Sequence, residues 1–317
     1  MPNPAANLEG LAEYDIRWGW AQGKLQPGFT AVVRAKNEAR NLPFVLPPLL
    51  RSLARVLLID NGSTDGTAET AQRIAVDEGA SDRLEVVAYP FAVSRCGTEH
   101  LQTPPESVHS LTYFYNWAFS QVRTTYALKW DGDMVLTGEG ESILSDLAWQ
   151  LEGKRIRIFM MTVPLYIQSA SLAYIDFSIR HFETYGWPNA EENFYRKALE
   201  WELIRLSPDL ARHALPDGVC FELKWLDSDE FSHWSHRDFD RTPRTSRKAR
   251  EWKVISRLRL GQYGDGLVPV VPEGDQHVVT AVRHTSVSGW QAMRSAALNP
   301  SSRPAVGLPL TLLQRID

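Results

Sequence analysis

The 317-residue sequence has few cysteines, no dominant charge and no long apolar run. Its two cysteines, Cys96 and Cys220, are too few for a disulfide scaffold and lie in no metal-type cluster. A formal net charge of −4 gives no overall electrostatic footprint for nucleic acid. No stretch approaches the roughly 20 apolar residues that span a bilayer, and residues 1–26 lack the pattern of a signal peptide. We therefore expect a cytoplasmic protein that binds no nucleic acid.

Strand and helix signals alternate between residues 29 and 162. Five short apolar runs have the length of strands, and several are rich in β-branched residues. These runs cover residues 29–34, 55–60, 84–89, 126–130 and 156–163. The alternation predicts an α/β fold with a mostly parallel central sheet flanked by helices. Ligands of such sheets bind at the carboxyl ends of the strands.

The pattern changes after about residue 164. Residues 164–235 are crowded with aromatic and acidic side chains, whereas residues 241–259 are strongly basic, with Glu251 as their single acid. Residues 261–317 are rich in Gly and Pro and predict a loop-heavy C-terminal extension that also contains helices. The basic segment is either a solvated face or a peripheral contact with a membrane or a phosphate group.

Two carboxylates, Asp131 and Asp133, follow the predicted strand at 126–130 and are separated by Gly132. At the end of a strand both can reach one hard cation, and Mg²⁺ or Mn²⁺ prefers such oxygen ligands. A metal bound there would neutralise a diphosphate leaving group as a sugar bond breaks. The alternative interpretation of these residues is an acidic surface turn.

Asp60 also ends a predicted strand, and it begins the segment DNGSTDGT at residues 60–67. A carboxylate in this position can accept a hydrogen bond from an imide N–H of a base, and the glycines allow close approach to a ligand. A third polar segment, Lys36-Asn37-Glu38, follows the first predicted strand. Each of these segments is also compatible with a plain strand-turn-helix connection.

Together, the order and spacing of the three segments resemble the donor half of family 2 glycosyltransferases, which have a Rossmann-like GT-A fold. The resemblance implies that Asp60 binds the base, Asp131 the ribose or the metal, and Asp133 the metal. The other donor-binding residues that it implies are Ala35, Lys36, Asn37, Glu38, Asn61, Gly62 and Gly132. Asn61 stands where the family often has aspartate.

The resemblance also implies a domain organisation. It predicts a GT-A domain over residues 1–240, with a donor half at about 29–136 and an acceptor half at about 137–235. Residues 241–317 then form a C-terminal extension that begins with the basic segment 241–259.

The acceptor half resembles the family less closely. Residues 185–192 are similar to the glycine-aromatic stretch before the family's glutamate-aspartate motif, which supplies the base that deprotonates the acceptor. By this resemblance the base is Glu192, which replaces the aspartate of the motif, or Glu191. Some GT-A enzymes use a late histidine as a further metal ligand, which implies His233 or, alternatively, His236.

The implied function is a metal-dependent glycosyltransferase that moves a single sugar to an acceptor hydroxyl by an inverting, non-processive reaction. The donor is a UDP-, dTDP- or GDP-linked sugar, and the acceptor is a saccharide, a lipid-linked glycan or another hydroxyl compound. An alternative is a haloacid-dehalogenase-like phosphatase, because residues 127–135 fit its motif with Asp131 as nucleophile and Asp133 as acid/base. A third alternative is a non-catalytic nucleotide-sugar-binding protein.

Overall fold

The computed structural model describes residues 5–151, 153–228, 231, 243–264, 266–298 and 310–311. The strands are β1 (Gln26–Ala35), β2 (Arg55–Asp60), β3 (Leu84–Ala88), β4 (Thr124–Asp131), β5 (Met134–Leu136), β6 (Ile156–Thr162), β7 (Pro164–Ser169), β8 (Leu172–Asp176), β9 (His181–Pro188), β10 (Phe194–Ala198), β11 (Trp201–Arg205), β12 (Ala211–Ala214), β13 (Cys220–Trp225), β14 (Leu267–Pro272) and β15 (Leu310–Thr311). The α-helices are α1 (Leu42–Ser52), α2 (Thr67–Asp77), α3 (Thr98–Gln102), α4 (Leu111–Ser120), α5 (Gly138–Gln150), α6 (Pro243–Arg259), α7 (Val278–Arg283) and α8 (Val287–Leu298). Two short 3-10 helices, Ala12–Tyr14 and Gly19–Ala21, precede β1.

A seven-stranded sheet has the strand order β12-β6-β9-β4-β1-β2-β3. Strand β1 pairs in parallel with β2 and β4, β2 pairs in parallel with β3, and β12 pairs in parallel with β6. The exception is β9, which runs antiparallel to β4. Residues 29–33 of β1 are all buried, as expected for a strand that is covered on both faces. The predicted α/β fold with a mostly parallel sheet is therefore confirmed, and its five predicted strands are β1, β2, β3, β4 and β6.

A six-stranded sheet of order β15-β14-β8-β7-β13-β5 and a separate β10–β11 hairpin complete the described sheets. The chain divides into two compact units that alternate along the sequence. The first unit comprises Met1–Gly132, Ser142–Phe159 and Thr184–Ala214, and the second comprises Asp133–Glu141, Met160–Glu183 and Leu215–Asp317. The domain boundary expected at residue 240 stays a prediction.

Aromatic side chains form much of the core of the first unit. Trp187 of β9 stacks on Phe119 of α4 with ring centroids 5.1 Å apart, and both rings are buried. Tyr195 of the β10–β11 hairpin packs edge-on against Tyr115 of α4 at 4.6 Å. Such offset and edge-on pairs add to the stability that burial alone provides. Trp187 and Tyr195 therefore have core positions, which fixes β9 and the hairpin against α4.

The basic segment at 241–259 corresponds largely to α6 of the second unit. Arg247 lies 3.5 Å from Glu251, and Lys248 lies 2.9 Å from the same buried carboxylate. Arg259 donates to the backbone oxygens of Leu226 and Ser228. Three basic side chains of this segment, Arg247, Lys248 and Arg259, therefore make ion pairs or hydrogen bonds within the second unit. None of the helices in the described residues is long and apolar enough to cross a membrane.

Candidate functional site

The predicted donor residues lie around the carboxyl end of β1 in the first unit. Strand β2 ends at Asp60 and β4 ends at Asp131, and these strands flank β1 on its two sides. In the parallel registers, Ala35 is the partner of Asp60, and Arg34 is the partner of Asp131. The two carboxylates therefore occupy the carboxyl ends of strands on either side of β1, where α/β sheets bind their ligands.

Hydrogen bonds join the loop after β1 to the turn after β2. The backbone N–H of Asn37 donates to Ser63 Oγ at 2.9 Å, and the N–H of Thr64 donates to Asn37 Oδ1 at 2.8 Å. The N–H of Ala39 donates to Asp65 Oδ2 at 3.0 Å. Asn37 adopts a left-handed conformation with φ of 59°, which asparagine tolerates better than most residues. The structure thus brings the Lys36-Asn37-Glu38 segment and the segment at 60–67 together.

Gly132 lies directly against the side chain of Glu38. A Cβ atom added at Gly132 would lie 2.6 Å from Glu38 Cγ. The carboxylate of Glu38 in turn accepts a hydrogen bond of 2.6 Å from Asn41 Nδ2, at the start of α1. A larger residue between the two aspartates would therefore force the Glu38 side chain to shift.

Two residues at the end of β2 have different roles. The Asp60 carboxylate accepts a hydrogen bond of 3.0 Å from the backbone N–H of Ser63, which turns its side chain into the loop. Asn61 Nδ2 donates to the backbone oxygens of Tyr89 and Phe91 at 2.9 and 2.7 Å. An ionised aspartate has no proton to donate to these carbonyls, which explains the asparagine at this position.

Asp131 forms an ion pair with Arg34 on the neighbouring strand. The Arg34 side chain is only 9% exposed, and its guanidinium carbon lies 4.1 Å from the ring centroid of Tyr115. The Asp131 side chain is 44% exposed and remains accessible from solvent. The bond between Arg34 and Asp131 was not foreseen from the sequence, because it is created by the register of β1 and β4.

Asp133 belongs to the second unit and contacts a buried lysine. Lys224 Nζ lies 2.6 Å from Asp133 Oδ2, and it also lies 3.6 Å from Glu222 Oε2. The Lys224 side chain is 3% exposed. The backbone N–H of Leu223 donates to the Asp133 carbonyl at 2.8 Å, which fixes the chain beside β13. Glu222 and Lys224 occupy alternate positions of the buried strand β13, but the sequence does not indicate that Asp133 contacts Lys224.

Glu222 connects further charges in the second unit. It accepts a hydrogen bond of 2.8 Å from Thr162 Oγ1 and lies 3.7 Å from Arg247 Nη1. Burial tends to raise the pKa of the Glu222 carboxyl, but Lys224 and Arg247 outweigh this effect and hold the pKa well below its usual range. We call Asp133, Glu222, Lys224, Arg247 and Glu251 the buried charge network.

The predicted metal ligands are distributed over the two units. Asp131 lies in the first unit and Asp133 in the second, with Gly132 between them in the chain. His233 and its alternative His236 lie outside the described residues. Within the residues that the structure describes, no group of three or more His, Cys, Asp or Glu side chains is arranged to hold a metal ion.

Glu191 and Glu192 are not brought together with the donor residues. They follow β9, whose last residue, Pro188, pairs with Tyr126 near the start of β4. Asp131 ends the same strand five residues later, a distance of about 16 Å at roughly 3.3 Å per residue. This placement argues against either glutamate as the base for a reaction at the carboxyl ends of the strands.

The immediate contacts of Glu192 indicate a surface ion pair. Its carboxylate lies 2.9 Å from Arg155 Nη2, and Arg155 also binds Asp209 at 2.6 Å. Hydrogen bonds from the backbone N–H of Glu192 and from Arg155 lower the pKa of the Glu192 carboxyl. A carboxylate that is stabilised in its charged form is a weaker proton acceptor.

Comparisons with known proteins give partial similarity to solved structures only. No family model matches the sequence, and no curated protein matches it. One similar structure is glucosyl-3-phosphoglycerate synthase from Mycobacterium tuberculosis in complex with Mn²⁺, UDP and glucosyl-3-phosphoglycerate. It is 16% identical, with 47% of this chain and 46% of that chain covered and a TM-score of 0.24.

A second structure of the same synthase, in complex with Mn²⁺, UDP-glucose and phosphoglyceric acid, is 15% identical and has a TM-score of 0.25. The match covers 52% of this chain and 49% of that chain. A structure described as a mycobacterial protein is 16% identical, with 47% and 43% covered and a TM-score of 0.25. The chain thus spans about half the length of these structures, and the assignment of a function depends on its own residues.

Proposed function

We propose that the protein is a glycosyltransferase of GT-A type that transfers one sugar from a nucleoside-diphosphate sugar to an acceptor hydroxyl. The observation that carries this proposal is the arrangement around the end of β1. There, Asp60 and Asp131 end the two flanking strands, and the 36–38 loop is hydrogen-bonded to the 60–67 turn. A nucleotide-binding site of this type combines a carboxylate that contacts the base with loops that are held in a fixed conformation beside it.

Asp60 is the proposed contact for the base. A carboxylate accepts an N–H of uracil, thymine or guanine, and for this reason a UDP, dTDP or GDP donor fits equally well. Asp60 is partly exposed, and its bond to the N–H of Ser63 orients the carboxylate. Ala35, Lys36, Asn37, Gly62 and Gly132 would then surround the rest of the nucleotide. The exposed Lys36 supplies positive charge for a diphosphate.

Asp131 and Asp133 fit a hard divalent cation, Mn²⁺ or Mg²⁺, through their carboxylate oxygens. Mg²⁺ is usually bound by one or two carboxylates together with substrate phosphates and water, so two aspartates are a sufficient protein contribution. When bound, the cation neutralises the charge of the departing diphosphate. In the structure, Asp131 forms an ion pair with Arg34, and Asp133 forms one with Lys224.

We assign no acceptor base. Glu191 and Glu192 follow β9 and lie near the start of β4, whereas Asp131 lies at the end of β4. Inverting transfer, single-sugar transfer, a saccharide or lipid-linked acceptor, and membrane contact through 241–259 stay predictions. So does His233 as a metal ligand.

The test is a panel of UDP-, dTDP- and GDP-linked sugars with Mn²⁺ or Mg²⁺, scored by thermal shift and by release of nucleoside diphosphate. A transferase releases the diphosphate slowly from one nucleotide class and faster with an acceptor. Release of phosphate from a general phosphoester would instead support the phosphatase alternative. Binding without any release would support a non-catalytic nucleotide-sugar-binding protein.

A further inference from the structure

A cleft in the first unit is lined by four arginines. It has a volume of about 660 Å³, within the range of small-molecule sites. Its lining residues are Arg157, Phe159, Thr184, Arg196, Ile204, Arg205, Leu206 and Arg212. We call it the arginine cleft. It is built from the edge strand β12, its neighbours β6 and β9, and the β10–β11 hairpin, and β9 separates β6 from β4 and Asp131 in the sheet. It is thus distinct from the proposed donor residues.

Within the described residues, no hydrogen bond or ion pair joins any of the four arginines to Asp or Glu. The guanidinium atom Arg157 Nε is buried and has no hydrogen-bond partner there. A buried donor without an acceptor costs free energy, which a ligand that accepts the hydrogen bond would recover.

Two of the arginines are direct neighbours on adjacent strands. In the parallel register of β6 and β12, Arg157 is the partner of Arg212, with strands about 4.8 Å apart. Both guanidinium groups lie over the ring of Phe159, at 5.5 Å for Arg157 and 4.4 Å for Arg212. Like charges in this position repel each other. The aromatic ring holds them in place, but only an anion removes the repulsion.

The opposite wall of the arginine cleft comes from the hairpin. Arg205 lies over the ring of Phe194 with its guanidinium carbon 5.3 Å from the centroid, and Arg196 is exposed on β10. Ile204 and Leu206 add apolar surface. The cleft therefore offers several planar, permanently charged donors together with a smaller apolar lining.

We propose that the arginine cleft binds the phosphate group of a small organic phosphate. The guanidinium fork matches the oxygen geometry of phosphate, and a phosphate monoester carries about −1.5 to −2 charges at neutral pH, more than one carboxylate. Phe159, Ile204 and Leu206 would contact the organic part. Soluble phosphate esters and the headgroup of an anionic lipid share this chemistry.

The experiment is isothermal titration calorimetry of the full chain with three soluble probes: inorganic phosphate, pyrophosphate and glycerol 1-phosphate. A parallel sedimentation assay uses phosphatidylcholine vesicles with and without phosphatidic acid. We expect saturable binding of at least one of these probes. Preference for the soluble probes or for the phosphatidic acid vesicles identifies the source of the phosphate group.

The variants Arg157→Gln and Arg196→Gln test the arginine cleft, and Arg73→Gln is their control. Arg73 is an exposed arginine of α2 that contacts Thr70, so its loss changes the charge of the first unit equally. We expect Arg157→Gln and Arg196→Gln to weaken binding roughly 10-fold to 100-fold, and Arg73→Gln to leave it unchanged. Because Arg196 is exposed, its substitution tests the cleft even if Arg157→Gln misfolds, which circular dichroism would reveal.

Two outcomes would overturn the proposal. One is that none of the probes binds in a saturable manner, and the other is equal weakening in all three variants, which indicates a general charge effect. An Asp60→Ala variant tests whether phosphate binding depends on the proposed donor site. Its phosphate binding should equal that of the wild type, so a failure of the proposed transferase function would leave this result interpretable.

Discussion

The arginine cleft of the first unit and the buried charge network of the second show two ways of using basic side chains. Lys224 and Arg247 are each matched by carboxylates within 4 Å, and Lys224 is nearly inaccessible. In the arginine cleft, Arg157 and Arg212 lie side by side without a carboxylate among the described residues. Matched charges hold a structure together, whereas unmatched charges around a cleft are available to a ligand.

The largest effect should come from Asp133, the residue of the buried charge network that also belongs to the proposed metal site. We expect Asp133→Asn to abolish turnover of the nucleotide sugar, because an amide ligates a cation weakly. Asp131→Asn should have the same effect in milder form. Steady-state release of nucleoside diphosphate measures both. Full activity of Asp133→Asn, or of the wild-type protein in excess EDTA, would rule out the metal site.

The next effect concerns stability. Lys224→Met leaves Asp133 and Glu222 without their shared cation, and breaking such a buried pair costs about 3–5 kcal/mol. Arg157→Met, in the arginine cleft, should cost less than about 1 kcal/mol because no carboxylate depends on it. Urea unfolding of both variants measures the difference. Equal losses of unfolding free energy would remove the distinction between the two regions.

A third prediction separates the arginine cleft from the donor residues within the first unit. Asp60→Ala should weaken binding of the correct nucleoside diphosphate by roughly 1.5–3 kcal/mol, the worth of a hydrogen bond to a charged group. Arg196→Gln should leave this affinity unchanged. Calorimetric titration with the nucleotide provides the values. If Arg196→Gln also weakens the nucleotide, the diphosphate occupies the arginine cleft.

The contribution of Glu192 provides a fourth comparison. A general base contributes roughly 10²–10⁴-fold to the rate, so Glu192→Gln would lower kcat by that factor if Glu192 were the base. From its pairing with Arg155 and its position near the start of β4, we expect kcat to remain unchanged. The pH profile of kcat for Glu192→Gln and for Glu191→Gln distinguishes the two results.

The smallest effect concerns Arg155, which precedes Arg157 of the arginine cleft in the sequence but forms ion pairs with Glu192 and Asp209. Hydrogen bonds that Arg155 and Ser207 donate to the Asp209 carboxylate lower its pKa from 3.8 to about 2. A depressed carboxyl pKa contributes stability that is present above pH 3.8 and is lost as the pH falls through about 2. Arg155→Gln should raise the pKa of Asp209, and Arg157→Gln should not. Titration followed by NMR checks both.

The central sheet was predictable because its buried parallel strands are short, contiguous apolar runs. The end of β2 at Asp60 was predicted to the residue, and β4 extends one residue beyond the prediction, to Asp131. The partners of the acids were not predictable. Arg34 reaches Asp131 through strand register, and Lys224 reaches Asp133 from a strand about 90 residues away.

The position of Glu192 was missed for a related reason. Its local sequence resembles an acceptor motif, but β9 runs antiparallel to β4 and carries the following residues to the start of that strand. Strand direction is a property of the whole sheet and has no signature in eight residues. Trp187 of the same strand packs on Phe119 in the core.

The β10–β11 hairpin has a consequence for how the protein can change over evolution. It belongs to neither of the larger sheets, yet it contributes Arg196 and Arg205 to the arginine cleft. Asn116 of α4 anchors it through two backbone hydrogen bonds to Tyr195, at 2.9 and 2.7 Å. Its outward residues can therefore be exchanged while the anchor and the central sheet stay intact. Related chains could acquire new ligand preferences by substitutions confined to this hairpin.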